Sequence, residues 1–497
     1  MRRERWAILR YDAAIIGAGA DGLAAAVTLA RAGLKVVVLE RNEQPGGRAV
    51  TREFHPGFQA SPFCDELAPI PAEVFWALDL ARHGALFMSS AASTALWPDR
   101  ATTLSAEPSR LRAKGAALAQ AALRRAAGDT APSRKSFFTK PAGSDEGWPG
   151  DEWATESLTG LLAAEHLDSD TQALVLADAL SGRVAHPGLA GSALHLLIAA
   201  GSGQVIGGLQ RLTGALMAAA QAAGVEISCG LEVSDILRHG GRAAGLRRAD
   251  GTDIAARVVI STLDLKRTFL SLFAWNDLPP AVSSRVASFR MIGGTARLLF
   301  ALDRLPEPPS FARSDLFAGP IHAAPDANAF GAAYAAWRAG TIAEYLPITL
   351  RFPSVADPRS CPTGGATMTA TVAGVPARPF DGAWTHEKRD ALRRHVLAAI
   401  ERVLPGLTAR VLACELLTPT DIEQALGCTE GDLWGGDIAA DQMLAYRPWL
   451  DCPAPRTPIK GLYLAGRSTT AGVLGTCVSG VLAARAVTAD LKAGHLK

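Results

Sequence analysis

The sequence predicts an α/β fold on three observations. A strand runs into a glycine-rich turn near the N-terminus, an apolar strand ends in an acid about 20 residues further on, and a last strand again ends in a glycine turn. Residues 11–16 form an apolar run of strand character, and Gly17-Ala18-Gly19-Ala20-Asp21-Gly22 then opens a helix. Gly17 allows the sharp turn, Gly19 lets a pyrophosphate reach bare backbone, and Gly22 lets helix and strand pack closely. Ala20 stands at the helix entrance, where free N–H groups and the helix dipole favour negative charge. Residues 34–39 form the second strand, and Glu40 at its end is placed to accept hydrogen bonds from an unphosphorylated adenosine ribose. Glycine turn, helix and acid in register predict a Rossmann-type dinucleotide site.

At 497 residues, 48% of them hydrophobic and 20% charged, the chain is long enough for two or three packed domains with an extensive interior. A formal charge of +2 gives no reason to expect a nucleic-acid partner, and the basic clusters 2–5 and 110–125 read as solvated faces. Seven scattered cysteines without a Cys-x-x-Cys pair argue against a disulfide framework and against a tetrahedral zinc site. The apolar stretch after the basic N-terminus is the strand–turn–helix unit, interrupted by Asp21, so it reads as neither signal peptide nor membrane span. The expectation is a cytoplasmic protein, with a peripheral membrane position as the alternative.

Glu40 is followed by Arg41 and then by Pro45-Gly46-Gly47-Arg48. Paired glycines let a loop lie against a ligand, and Arg48 offers charge to a phosphate or a flavin edge. Proline and glycine at 54–58 and 69–71 lead out of this first unit. Residues 110–127 are alanine-rich and helical in period, and 130–153, dense in Gly, Pro, Ser and charge, read as a surface loop or mobile lid. Helical pattern resumes over 158–180 and again from Gly191. Gly201-x-Gly203 is followed by Gly207, one residue too far for a second dinucleotide turn. A helix over 209–223, a strand over 225–228, a hairpin of 231–239 with 243–249 and a strand over 258–262 follow. From 288 to 418, strand and helix runs (295–301, 348–352, 366–372, 387–403) suit a separate sheet-plus-helix unit. Finally, Gly461-Leu462-Tyr463-Leu464-Ala465-Gly466 runs from strand into a glycine turn, and an apolar helix over 475–491 follows.

Taken together, these pieces resemble the large FAD-dependent family that contains phytoene desaturases, the pyridine nucleotide-disulfide oxidoreductase domain 2-like proteins and, more distantly, flavin amine oxidases. The likeness spans nearly the whole chain and is most specific at 12–22, at Glu40-Arg41 with Gly46-Gly47-Arg48, over 207–264 and over 441–484. It implies a Rossmann-type FAD-binding domain in three segments, 1–75, 200–290 and 425–497, with an inserted α+β substrate domain over 76–199 and 291–424. It also implies non-covalent FAD. Gly17, Gly19 and Gly22 would approach the pyrophosphate, and Glu40 would hold the ribose. Arg41, Gly47 and Arg48 would flank the cofactor, and Val233 would meet the adenine through its backbone. Gly466 and a helix start at Leu474-Gly475-Thr476 would lie by the ribityl chain and pyrimidine, where a helix amino end stabilises negative charge on reduced flavin. The chain departs from the family at Thr470-Ala471-Gly472, at Asp432-Leu433-Trp434-Gly435-Gly436 and at Arg467, which stands where a small or acidic residue is common.

A flavin carries the hard step itself, so an apolar substrate needs few catalytic side chains, and none is assigned. No Ser-His-Asp set, metal-ligand cluster or redox dithiol is legible, which argues against hydrolysis, metal catalysis and disulfide reduction. His55, His186, His195 and His322 are candidates for the flavin's surroundings, though such histidines are more often hydrogen-bonded structural residues, and Tyr446 and Trp449 are candidates for a cavity wall that read at least as well as core packing. Two substrate readings compete. One is desaturation of an isoprenoid- or lipid-like molecule with oxygen or a quinone as acceptor, with which the uncharged stretch 194–209 is compatible as an aliphatic tunnel or a membrane-docking surface, core packing explaining it equally well. The other is amine oxidation, in which Lys266 would mimic a lysine near the flavin. A third reading, of another class, is an FAD-bound interaction protein without turnover.

Overall fold

The structure, a computed structural model, describes residues 10–89, 91–104, 106–127, 149–199, 203–274, 276–449, 452 and 454–496. Most of the predicted loop 130–153 lies outside the described residues. Its described end, Asp151–Ala154, is a helical turn that buries Trp153.

Five parallel strands form the centre of the first sheet, in the order Glu226–Ser228, Val36–Leu39, Arg10–Ile16, Asp253–Ser261 and Leu462–Leu464. The sheet therefore draws on three stretches far apart in the chain. The long strand Asp253–Ser261 serves two neighbours: its first half pairs antiparallel with the hairpin strand Arg242–Arg248, and its second half pairs parallel with Leu462–Leu464. Arg10–Ile16 sits centrally, and its second half, residues 13–16, is wholly apolar because both faces are covered there. Ala13 and Ile15 point into a core shared with helices Ala20–Arg31, Gln210–Ala222 and Val478–Lys492, while Ala14 and Ile16 join Phe269, Val286 and Trp449 on the other side. A Cβ on Gly480 would overlap the Asp21 carbonyl oxygen, so glycine is what lets the first and last of these helices touch.

The second sheet runs Val411–Leu417, Thr295–Leu302, Ala366–Ala373, Ile348–Arg351, Ile321–Ala323, Thr94–Leu96 and Ala101–Thr103. Helix His386–Val403 buries Leu392, Val396, Ile400 and Val403 against it, at the i, i+4, i+8, i+11 spacing of one helix face. The predicted helix 158–180 is instead two, Leu158–Ala164 and Ser169–Ala179. The break has a local cause: His166 takes a positive φ of 52°, and the Asp168 carboxylate caps the second helix by accepting from the Thr171 N–H at 2.9 Å. Among the described residues, no helix is long and apolar enough to cross a membrane.

Candidate active site

A cleft of about 460 Å³ runs along the carboxyl ends of the parallel strands, where open α/β sheets place their ligands. Gly17, Gly19, Ala20 and Asp21 line it from the first turn, Glu40, Arg41, Gly47 and Arg48 from the second strand onward, and Val233, Gly466, Arg467 and Thr476 from further along the chain. Gly17 has φ +97° and a Cβ there would overlap the Thr262 hydroxyl, whereas a Cβ on Gly19 would meet nothing within 4 Å. Gly19 thus opens onto the cleft. It also caps helix Ala20–Arg31 without a side-chain hydrogen bond, which leaves the first-turn N–H groups available to an anion. Gly22 does not line the cleft; a Cβ there would overlap the Gly17 carbonyl oxygen, in keeping with its expected packing role.

Glu40 is 7% exposed, and its two carboxylate oxygens accept from the Ala18 N–H at 2.8 Å and the Asn42 N–H at 2.9 Å. It braces the turn and retains acceptor capacity for a ribose hydroxyl. Gly46 donates to the Ala18 carbonyl at 2.9 Å, and a Cβ on Gly47 would come within 3.5 Å of the Gly19 Cα. The paired glycines therefore press one turn on the other. Arg41 donates to the carbonyls of Gln424 and Ala425 at 2.8 and 2.9 Å, closing the carboxyl end of helix Pro419–Leu426, where the dipole favours a cation. Arg48 donates to the Leu433 carbonyl at 2.6 Å. Val233 opens its strand at the rim of the cleft.

The last turn is tied to the first helix by a relay: Gly466 N–H donates to the Ser479 hydroxyl, which donates to the Asp21 carboxylate, both at 2.7 Å. Here two expected site residues fall away. Leu474 is 3% exposed in the hydrophobic core, and a Cβ on Gly475 would contact Val478 and Leu123; neither lines the cleft. The helix does not start at 474–476. A short helix, Thr470–Leu474, comes first, capped by the Thr469 hydroxyl accepting from Gly472 N–H at 3.1 Å. Cys477 then turns with φ +66° and the long helix begins at Val478. Gly472 and Thr476 are what this region presents to the cleft.

Behind the cleft lies a second cavity of about 130 Å³, and Arg48, Leu67, Leu433 and Arg467 line both. Phe63, Ile198, Ala199 and Trp434 supply part of its wall; six arginines and three carboxylates supply much of the rest. Asp65 holds Arg297 with two bonds of 2.6 and 2.8 Å, Glu66 holds Arg351 at 2.5 Å, and Asp178 lies 3.2 Å from Arg112. Of the stretch 194–209, Leu194, Leu196 and Leu197 pack into the core, and only Ile198 and Ala199 reach this cavity among the described residues. His55, His186, His195, His322, Lys266, Tyr446 and Trp449 line neither space.

Arg447, between those two aromatic residues in the chain, organises the site instead. Its buried guanidinium donates to the carbonyls of Trp434, Gly435 and Arg467 at 2.9, 2.8 and 2.8 Å, and burial pulls it down to about 10. Asp432 fixes the same loop, accepting from the N–H groups of Ile292, Trp434 and Gly436 at 2.8, 2.7 and 3.0 Å; burial pushes its carboxyl up to about 6 against that pull. Arg183, Arg297 and Trp434 were not singled out from the sequence as site residues. Arg297 left a signal, a lone cation in the apolar strand TARLLFAL, since a charge in a strand buried throughout needs a partner.

The chain resembles known proteins along almost its full length. It is 27% identical over 553 residues to pyridine nucleotide-disulfide oxidoreductase domain-containing protein 2 of Rattus norvegicus, covering 97% of this chain and 94% of that one. It is 24% identical over 512 residues to the neurosporene-forming phytoene desaturase of Rhodobacter capsulatus, covering 96% and 93%. Its fold matches that of an oxidoreductase from Methanosarcina mazei with TM-score 0.62 at 20% identity, covering 97% and 100% of the chains. A putrescine oxidase double mutant matches with TM-score 0.62 at 18% identity, covering 97% and 99%. The profile of the family described as flavin containing amine oxidoreductase matches residues 22–488. With a glycine-lined cleft suited to FAD and a family match over most of its length, this chain belongs to the flavin-containing amine oxidoreductase family and is an FAD-dependent oxidoreductase.

Proposed function

We propose that this flavoprotein removes a hydride from a small, polar organic substrate seated in the inner cavity, with oxygen or a quinone taking the electrons in the end. The observation that carries this reading is the adjacency of the two spaces, which share Arg48, Leu67, Leu433 and Arg467 in their walls. FAD, held without a covalent bond by the first glycine turn, Glu40, Val233 and the Gly466–Thr476 region, supplies the hydride-accepting ring when bound. The chain's own contribution is position and enclosure. Residues 76–199 and 291–424, proposed as the substrate domain, bring Arg112, Asp178, Arg183, Arg297 and Arg351 to the cavity. Asp432 and Arg447 lock the loop that carries Leu433 and Trp434 into its wall. An inner cavity of about 130 Å³, near the ~150 Å³ that admits one benzene molecule, favours a small substrate.

A second reading, desaturation of an isoprenoid-like substrate, draws on the relatives, which include the phytoene desaturase and a protein named as part of the limonene dehydrogenase of Castellaniella defragrans. Anaerobic flavin bleaching against small carboxylates, amines, fatty derivatives and isoprenoids separates them. Bleaching by isoprenoids alone reverses the order, and stable yellow protein that no compound bleaches favours a bound but non-turning flavin.

A further inference from the structure

The inner cavity holds an imbalance of charge. Arg112, Arg297 and Arg351 each have a carboxylate within 4 Å, which uses all three acids of the lining. Arg48, Arg183 and Arg467 have none among the described residues. Arg183 is 6% exposed and donates to the Ala179 carbonyl, its guanidinium 4.6 Å from the Trp434 ring centroid. Arg467 lies 5.0 Å from the same centroid, and its Nη1 is buried without a hydrogen-bond partner among the described residues. Burial, and then the like charges of Arg48 and Arg183, push the Arg467 guanidinium well below its ordinary value. Asp178 offsets the Arg183 charge and Asp21 the Arg467 charge only from beyond 4 Å, so these guanidiniums lack a directly paired carboxylate, an arrangement that is costly in a desolvated site, and guanidinium planes suit carboxylates.

We propose that Arg183 and Arg467, held over the Trp434 indole, form the anion subsite for a carboxylate carried by the substrate. The proposal rests on the reading of this cavity as the substrate site. An anionic oxygen here has two possible sources, the cofactor's phosphates and the substrate. The substrate is favoured because Arg183 lines the inner cavity and not the cleft, and the cleft already offers the N–H groups at the start of helix Ala20–Arg31 to phosphate. The paired arginines, each with its acid, then form the rigid wall around the two that wait for one.

The test titrates the FAD-loaded protein with benzoate and with benzamide, its uncharged counterpart, while following the flavin absorption spectrum. Arg183→Met, Arg183→Lys and Arg467→Met are titrated alongside, with FAD content and melting temperature measured for each. Benzoate is expected to bind saturably and benzamide about tenfold or more weakly. Arg183→Met is expected to weaken benzoate by a similar factor with FAD content unchanged, and Arg183→Lys to recover part of the loss. Equal binding of the two probes, or unchanged benzoate affinity in Arg183→Met, overturns the proposal. So does loss of FAD in Arg467→Met when Arg183→Met binds benzoate normally, since the charge then serves the cofactor. If Arg183→Met does not fold, the contrast of the two probes on the unaltered protein and on Arg183→Lys decides. Binding is read without turnover, so a panel in which nothing bleaches the flavin defeats the proposed reaction and leaves the anion subsite standing.

Discussion

The cofactor cleft takes much of its surface from backbone and small residues in short runs of sequence, whereas the inner cavity is walled by long charged side chains from segments far apart. Gly17, Gly19, Gly46 and Gly47 shape the first by what they lack, and Asp65–Arg297, Glu66–Arg351 and Asp178–Arg112 shape the second by what they pair. The contrast teaches where tolerance lies. A cleft built on backbone conformation survives changes in most nearby side chains, while a cavity built on ion pairs loses its shape when one partner goes.

The largest expected effect comes from the cavity wall. Asp65→Ala strands Arg297, 1% exposed at its side chain, and should cost about 3–5 kcal/mol in chemical denaturation. A loss well below ~1 kcal/mol would mean that water reaches the arginine and the wall is not rigid. Next, Leu474→Ala should cost about 2–5 kcal/mol as a core cavity while FAD affinity of the folded protein stays unchanged. Weaker FAD binding at unchanged stability would return Leu474 to the cofactor side. Glu40→Ala should weaken FAD by roughly 1–3 kcal/mol, read by fluorescence titration, because buried N–H groups and a ribose lose their acceptor. If affinity holds, Glu40 only braces the turn.

The smallest effect is on pH. Burial, and then the charge of Arg183, hold the His195 imidazole well below its ordinary value, so the folded protein keeps it neutral. The unfolded chain takes up a proton below about pH 6.5, and stability should fall by about 1.4 kcal/mol per pH unit below that point. Burial would raise the Asp178 carboxyl, yet His322, Arg112 and Ser93 hold it lower, so its contribution persists to more acid pH and is lost below about pH 4. His195→Leu should flatten the slope between pH 6.5 and 5, measured by urea denaturation across pH. A slope that persists in this variant assigns it elsewhere.

The glycine turn at Gly17, the acid at Glu40 and the paired glycines after it were legible because each acts on backbone within a few residues of itself. The parallel strands were legible for a related reason: strand segments covered on both faces are apolar throughout, as at 13–16 and in Val36–Leu39. The start of the last helix was misplaced by a few residues, because nothing in the apolar run 470–484 shows that Cys477 turns left-handed and splits it. For the stretch 194–209 the sequence left a tunnel and core packing equally open. Composition shows that leucines are buried, but not whether they face a core or a ligand, and here Leu194, Leu196 and Leu197 face the core.

Sequence by itself determined the α/β class and the nucleotide turn, since glycine spacing and strand periodicity are local consequences of backbone sterics, while FAD as the cofactor came from the family resemblance. Tertiary structure alone decided that Arg183, Trp434 and Arg467 share one cavity, that Arg447 ties the loops of Trp434 and Arg467 together, and that three acids leave three arginines of the lining without a directly paired carboxylate. Ion pairing and stacking depend on distance in space, and residues separated by hundreds of positions carry no mark of it in their order.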